Sequence, residues 1–412
     1  MGINLSIIQN FKIRNHNVSL LLFNILRLAV ISHSFYPSFS YGGPIFSTWD
    51  LLNSIAKEGE KIYVSTTNAN GNKKLNVETN KFLELKDNLY VKYYNEEIIN
   101  KFSFSFIFGI CNDVKNSDIV YIQYLFHYTV IVSLFFSFLY NKKIIICPRG
   151  SLSKFTLLNN NVFIKKLWLR IINKKIKKIN WHACSYLEKD DIKKNFKNAI
   201  IKVVNDGIDY KKFQNSINIS KQDLIYSFTS KKFKKITNIF LSIGRLHKIK
   251  CFGTLIKSFR YYLKDYNNAK LIIAGPDEGE ALSLNKMINK YKLSNSVFLI
   301  GEVNFEQKKI LYNNVDIFTL ASEFESFGIV VAEAMSCGLP VMLSNKMPWK
   351  DIVPKYGILA DNNDEDFYLG FKEITKQKFD KSSIKKYVKE NYDLNVISFK
   401  FLDWLKNVYT RD

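Results

Sequence analysis

ESFGIVVAEA, residues 325–334, sets two carboxylates eight positions apart, Glu325 and Glu333, around a run that is otherwise small or apolar. Just upstream, VDIFTLAS (315–322) has the length and continuous apolarity of a buried strand, EFES turns the chain, and Gly328 opens a helix running to about Cys337. Positions eight apart on a helix differ by ~12 Å and ~80°. Between the two carboxylates the helix amino terminus exposes the amides near Phe327, Gly328 and Ile329, a setting that favours phosphate oxygens. A carboxylate only accepts hydrogen bonds and suits vicinal sugar hydroxyls. The spacing therefore fits one carboxylate for a transferred sugar, phosphates on the helix end, and one carboxylate for a ribose. The plainer alternative has Glu325 capping the helix and Glu333 pairing with a surface lysine. A glutamate set among VVA and AM is seldom buried without a partner.

The same strand-then-helix pattern extends both ways. RLAVISH (27–33), KIYVSTT (61–67), NLYVKYY (88–94), DIVYIQY (118–124), KKIIICPR (142–149), INWHACS (179–185) and IIKVVND (200–206) are strand candidates in the first half. NIFLSIGRL (238–246), AKLIIAGP (269–276), SVFLIGEV (296–303) and LPVMLSN (339–345) join VDIFTLAS in the second. Continuous apolar runs between helices predict parallel sheets covered on both faces, an α/β doubly wound fold. The expected organisation is a lead at 1–25, a first Rossmann-like domain at 26–210, a lysine-rich linker at 211–237, a second Rossmann-like domain at 238–385, and a C-terminal helix at 386–412 packing back on the first domain. Two such domains leave a cleft between the carboxyl ends of their strands.

Two further motifs point into that cleft. SYGGP (40–44) follows the first strand, where Gly42 and Gly43 permit close backbone approach and Pro44 suits a first helical turn. It reads equally well as an anion site or a plain turn. In GRLHKIK (244–250), Arg245 and Lys250 supply a planar donor fork and a point charge suited to a diphosphate.

Composition narrows the partners. Sixty basic and 37 acidic residues give a net charge of +23, which favours an anionic partner: nucleic acid, an acidic membrane surface or phosphorylated ligands. The five cysteines contain no C-x-x-C pair, which argues against a disulfide framework or zinc site and for a reducing cytosol. No Asp-x-Asp stands at an expected strand end. The apolar run Val18 to Ile31 contains Asn24 and Arg27 and is shorter than a membrane span, so it is read as part of the lead and the first strand. YTVIVSLFFSFLY (128–140) is expected as a buried helix. VFIKKLWLRIINKKIKK (162–178) is basic and amphipathic, fitting either a core helix with a solvated basic face or a helix lying on an anionic membrane.

From about Leu28 to the C-terminus these motifs resemble the family-4 retaining glycosyltransferases, the glycosyl transferases group 1, with the GT-B fold. Glu325 and Glu333 within SEFESFGIVVAEAMSCGLPV match the family's spaced glutamates, GRLHKIK its diphosphate-holding Arg and Lys, and SYGGP its first-domain glycine loop. CPRGSL (147–152) and MPWKDIV (347–353) look like a branch acting on bacterial surface polysaccharides such as O-antigen, capsule or exopolysaccharide. The resemblance implies metal-independent transfer of a sugar, with retention, from a nucleotide-sugar substrate to a glycan or polyprenyl-linked acceptor, without a cofactor. It implies catalytic roles for Glu325, Arg245, Lys250 and Gln123. Donor binding falls to Gly43, Arg245, Lys250, Phe327, Gly328, Ile329 and Glu333, and acceptor binding to Gly42, Gly43 and Arg149. The expected location is cytoplasmic, peripheral on the inner face of the plasma membrane being a further candidate. Three departures stand out. Tyr121 and Gln123 occupy a usual His-x-His pair, with His127 four residues on. Asn205 and Asp206 replace a Pro-Asn, and Cys251 replaces the Gly after the lysine. The rival readings are a GT-B-like sugar-nucleotide epimerase, a non-catalytic binding module, and a basic nucleic-acid-binding protein. The last lacks any recognised motif, and its basic residues read as dispersed.

Overall fold

The computed structural model describes residues 25–98, 102–159, 161–352 and 354–411. Nearly all of the expected N-terminal lead lies outside them. Two sheets form the frame. The first holds β1 (Arg27–Ile31), β2 (Lys61–Thr67), β5 (Phe82–Lys86), β6 (Leu89–Tyr94), β7 (Ile119–Gln123), β8 (Lys143–Cys147), β9 (Ile179–Ala183) and β10 (Ile200–Val203); the pair β3 (Ala69–Asn70) and β4 (Lys73–Lys74) makes a small separate ribbon. Its order is β10-β9-β8-β7-β1-β2-β6-β5, parallel except for the antiparallel edge strand β5. The second holds β11 (Ile239–Ile243), β12 (Lys270–Ala274), β13 (Val297–Leu299), β14 (Ile317–Leu320), β15 (Val341–Ser344) and β16 (Gly357–Ala360), all parallel in the order β13-β12-β11-β14-β15-β16.

The apolar runs become strands because both faces of each sheet are covered. Along β1, Leu28 and Val30 enter one core layer while Ile31 enters the opposite one; along β7, Ile119 and Tyr121 alternate with Val120 and Ile122 in the same way. All twelve strand candidates fall on strands. β5 and β16 were not anticipated: FLELK alternates at an edge, and GILA is too short to stand out.

The stretch expected as a linker, 211–237, contains the helix Lys221–Thr229, whose Leu224 and Ile225 are buried. Lys221 also bonds the Thr237 carbonyl and Asp316, tying that helix to the second sheet. The C-terminal helix Leu394–Thr410 returns to the first domain. It packs on the helix Gly43–Lys57, where Ser54 bonds Ser398 at 2.9 Å. The two chain segments that pass between the domains meet there, Ile208 N–H donating to the Tyr392 carbonyl and Leu394 N–H to Ile208. A side chain on Gly207 would meet Ile397 and the Leu394 backbone at 3.1 Å, so the two segments cross at close quarters there.

Candidate active site in the interdomain cleft

The GEVNF and SEFES loops and the GRLHKIK turn all leave carboxyl ends of second-sheet strands, so the parallel topology gathers them at one edge. β14 ends at Leu320, and the chain turns through Glu325 and Phe327 into the helix Ile329–Ser336. Gly328 caps that helix at φ +83, and any side chain there would also press on Met347 and the Trp349 indole. No side chain caps this amino terminus, and no acidic residue lies in its first turn. Glu325 is thus not a helix cap. It bonds Ser322 Oγ at 2.7 Å and forms an ion pair with Lys250 Nζ. Phe327 is buried, its carbonyl accepting from Trp349 Nε1.

Lys250 reaches Glu325 by lying over Gly244, where a Cβ would meet its Cε at 3.3 Å. Arg245 points the other way and grips Glu278 with Nη1 at 2.7 and 2.8 Å to the two carboxylate oxygens. Its side chain is 42% exposed. Cys251, where the family has glycine, adopts φ +51 and opens the next helix. The departure therefore falls where the backbone still demands a glycine-like conformation.

Glu333 is buried one helical turn and more beyond Glu325. Lys308 Nζ donates to its Oε1 at 2.7 Å and the Tyr312 hydroxyl to its Oε2 at 2.9 Å. The lysine partner belongs to the plainer sequence reading, while burial and the tyrosine do not. Each carboxylate oxygen keeps a further lone pair. Burial, then Glu333 itself, raises the Tyr312 hydroxyl pKa well above its ordinary value. Neither Lys308 nor Tyr312 was foreseen; their helix, Phe305–Asn314, carries no motif beyond a capping box.

The first domain closes against this edge. A Cβ on Gly42 would lie 3.5 Å from Arg245 Cδ and Nε, and one on Gly43 would lie 3.4 Å from Ile329 Cγ2. One on Gly150 would lie 2.8 Å from Phe324. The glycine loop is thus held directly over both the GRLHKIK turn and the helix end. Behind it, the His33 ring packs against those of Tyr41, Tyr124 and His127. His127 caps the helix Tyr128–Leu139 through its ring nitrogen, a structural role. Burial pushes the Tyr124 hydroxyl up to about 12, opposed by Arg149 and, across the cleft, by Arg245.

Gln123 is buried at the end of β7, its Oε1 accepting from Thr48 Oγ1 at 3.0 Å and its Nε2 enclosed without a protein partner. Thr48 also meets Arg149 Nη2 at 3.3 Å. Arg149 differs from the expectation of an acceptor-facing cation. Its side chain is 1% exposed, and Nη1 donates to Asp206 at 2.6 Å. It underpins the floor of the cleft instead of presenting charge to it. Asp206, the residue at the family's Asn position, is what holds it there.

Spacing gave no hint that cysteines meet, yet neighbouring β8 and β9 bring Cys147 and Cys184 to 3.6 Å between sulfurs, beside His182. Their ligand atoms and that of His182 lie within 4.8 Å of one another. Both imidazole nitrogens are engaged, one by the Tyr121 hydroxyl and one by the Val204 carbonyl. Arg149 Nη1 also stands 3.2 Å from Cys184 Sγ. A guanidinium in contact with the thiols opposes a bound cation, and we read the cluster as packing.

Comparison with known proteins bears on the family and the fold. Residues 227–391 match the family model described as glycosyl transferases group 1. The O-antigen chain mannosyltransferase RfbU of Salmonella typhimurium is 29% identical over 208 residues, covering 49% of this chain and 53% of that protein. The chain thus aligns with about half the length of this curated relative. Among solved structures, a sucrose-phosphate synthase from Thermosynechococcus elongatus superposes with a TM-score of 0.71 at 14% identity, covering 93% of this chain and 99% of that one. HepE of Anabaena, solved in complex with UDP and glucose, superposes at 0.70 and 15% identity, covering 93% and 100%. The second-domain segment is thus similar to the glycosyl transferases group 1, and the two-sheet frame adopts the GT-B fold of these solved structures.

Proposed function

We propose that the protein is a retaining, metal-independent glycosyltransferase moving a sugar from a nucleotide-sugar to a glycan or lipid-linked acceptor in surface-polysaccharide synthesis. The observation that carries this reading is the convergence of Arg245, Lys250 and the uncapped end of the Ile329–Ser336 helix beneath Gly42 and Gly43. In the transfer, the bond from the anomeric carbon to the diphosphate breaks and its electron pair leaves with the phosphate oxygen. The acceptor oxygen bonds the same carbon, and its proton passes to the departing phosphate. What the protein must supply is stabilisation of that leaving charge. Arg245 and Lys250 are each paired with a carboxylate at the cleft, and a diphosphate competes with Glu278 and Glu325 for them. Glu325 so released is free to accept from sugar hydroxyls. Glu333 offers its remaining lone pairs to a ribose, held in place by Lys308 and Tyr312.

The acceptor reading rests on the glycine loop of Gly42 and Gly43, and the catalytic reading of Gln123 on its enclosed Nε2 donor. The O-antigen mannosyltransferase relative supports a polysaccharide role, and the UDP complex of HepE supports a nucleotide-diphosphate donor. The test is calorimetry of nucleoside diphosphates and nucleotide-sugars with wild-type protein and Arg245→Ala. Binding of one nucleotide, weakened in the variant, is expected. No binding by any member of the panel would remove the donor site from the cleft.

A further inference from the structure

The net positive charge is not spread evenly. From Ile119 to Leu187 there is no Asp or Glu, while nine lysines and two arginines fall in the same stretch. Basic residues are scarcely denser here than in the rest of the chain, so it is the missing acids that set the segment apart. The same segment supplies unpartnered apolar side chains. The helix Tyr128–Leu139, expected to be buried, turns Phe135 and Leu139 to solvent. The helix Val162–Asn173 buries Ile172 but leaves Phe163, Ile164 and Leu167 exposed, Phe163 at 79%. Phe108, on the neighbouring helix Phe104–Lys115, is 80% exposed. These helices form one layer. Phe104–Lys115 packs on Tyr128–Leu139, and Trp168 of the third helix donates to the Leu125 carbonyl just before the second. Lys165 lies over the Phe126 ring.

We propose that this helical layer is a docking surface for an anionic lipid bilayer. Exposed aromatic and aliphatic side chains on adjacent helices exceed the scatter of single apolar residues normal on a protein surface. Lys166, Arg170, Lys174, Lys175, Lys177 and Lys178 are exposed on or directly after the third helix. Apolar residues entering the acyl boundary with lysines at the headgroups is the chemistry of an interfacial helix. Charge decides between occupants. A second copy would set two acid-free basic faces against each other. A nucleic acid would satisfy the lysines and leave the phenylalanines in water. An anionic bilayer takes both. Among the described residues no helix is long and apolar enough to cross a membrane, so the contact is a surface one. This inference stands apart from the transfer reading and names where a lipid-linked acceptor would meet the protein.

The test is flotation of the full chain with vesicles of pure phosphatidylcholine and with vesicles carrying roughly one-third phosphatidylglycerol. Two variants accompany it: Lys166→Glu/Arg170→Glu/Lys174→Glu, and Phe163→Ser/Leu167→Ser. All the altered residues are exposed, and far-ultraviolet dichroism and nucleotide affinity check that the fold and cleft persist. Binding to the anionic vesicles is expected, reduced about tenfold or more in each variant and on neutral vesicles. Equal binding by wild type and variants, or no vesicle binding at all, would overturn the proposal. So would a concentration-dependent dimer abolished by Phe163→Ser/Leu167→Ser, or RNA binding lost in both variants. Lost vesicle binding with intact nucleotide affinity leaves the transfer reading standing, and the reverse result leaves this one standing.

Discussion

Arg149 and Arg245 follow strands of the two sheets and both read from sequence as ligand-facing cations, yet the fold uses them oppositely. Arg149 sits at φ +51 just past β8, its guanidinium sealed against Asp206, Thr48 and Cys184. Arg245 follows β11 after Gly244 and lies at the rim, paired with Glu278 and overlain by Gly42. A rim ion pair in high dielectric contributes little to stability and is readily exchanged for a phosphate. A buried pair cannot lose one member without stranding the other. One arginine is therefore locked into the floor, while the other keeps an exchangeable partner, as its proposed donor role requires.

The sharpest way to break that contrast is to remove each charge in turn. Arg149→Met leaves Asp206 enclosed without its partner, and a loss of about 3–5 kcal/mol of stability is expected in denaturant unfolding. A variant of normal stability that had lost only acceptor affinity would return Arg149 to the ligand. Arg245→Ala should unfold like wild type while turnover falls about 100- to 1,000-fold, the effect of removing one donor from a developing oxyanion. Unaltered turnover would detach the rim from the chemistry.

The two arginines also mark how far the sequence could be read. Strand-to-helix alternation made the paired sheets legible, because strands covered on both faces are written as continuous apolar runs, as in IVYIQ and KIIIC. The spaced glutamates and GRLHKIK were legible because each lies next to its own strand end. Partners from elsewhere in the chain were not. Tyr312 and Lys308 reach Glu333 from a different helix, and Cys184 reaches Cys147 only because β8 and β9 are neighbours. Burial of Arg149 depended on Asp206, 57 residues away, and no local pattern records that pairing.

Glu333→Gln sharpens the contrast inside the second domain. Hydrogen bonds to a charged group contribute about 1.5–3 kcal/mol, so nucleotide affinity should weaken roughly tenfold to a hundredfold, read by calorimetry. Affinity unchanged in a stable variant would leave Glu333 as the anchor of Lys308 and Tyr312 alone. Smaller again is Cys251→Gly. A side chain held in the left-handed region costs roughly 1–2 kcal/mol, offset by glycine's greater freedom when unfolded, so a net gain of about 1 kcal/mol or less is expected in chemical denaturation.

The smallest effect at neutral pH concerns the first-domain floor, where two kinds of group titrate in opposite senses. Burial lowers His33 to about 3, with the nearby His127 a lesser cause, and burial lowers His127 to about 4. Both rings stay neutral in the fold, while an unfolded histidine takes up a proton below ~6.5. Their contribution is complete above that pH and is lost as pH falls toward 4 and then 3. Glu188 runs the other way. Burial first, then Cys147, raises it to about 7, against the two backbone amides that donate to it from Cys184 and Gly150. The fold keeps its proton where the unfolded chain releases one, so stability declines as pH rises from about 4.5 to 7. Between roughly pH 4.5 and 6.5 the slopes oppose, but two histidines outweigh one glutamate, so wild-type melting temperature should still climb with pH. Glu188→Gln should expose the histidine slope, with stability climbing as pH rises through that window. His33→Phe should remove half of the histidine contribution and leave stability nearly level across the window. If both variants keep the wild-type profile, these groups do not carry the acid response, and the floor of the cleft resembles the rim in its access to water.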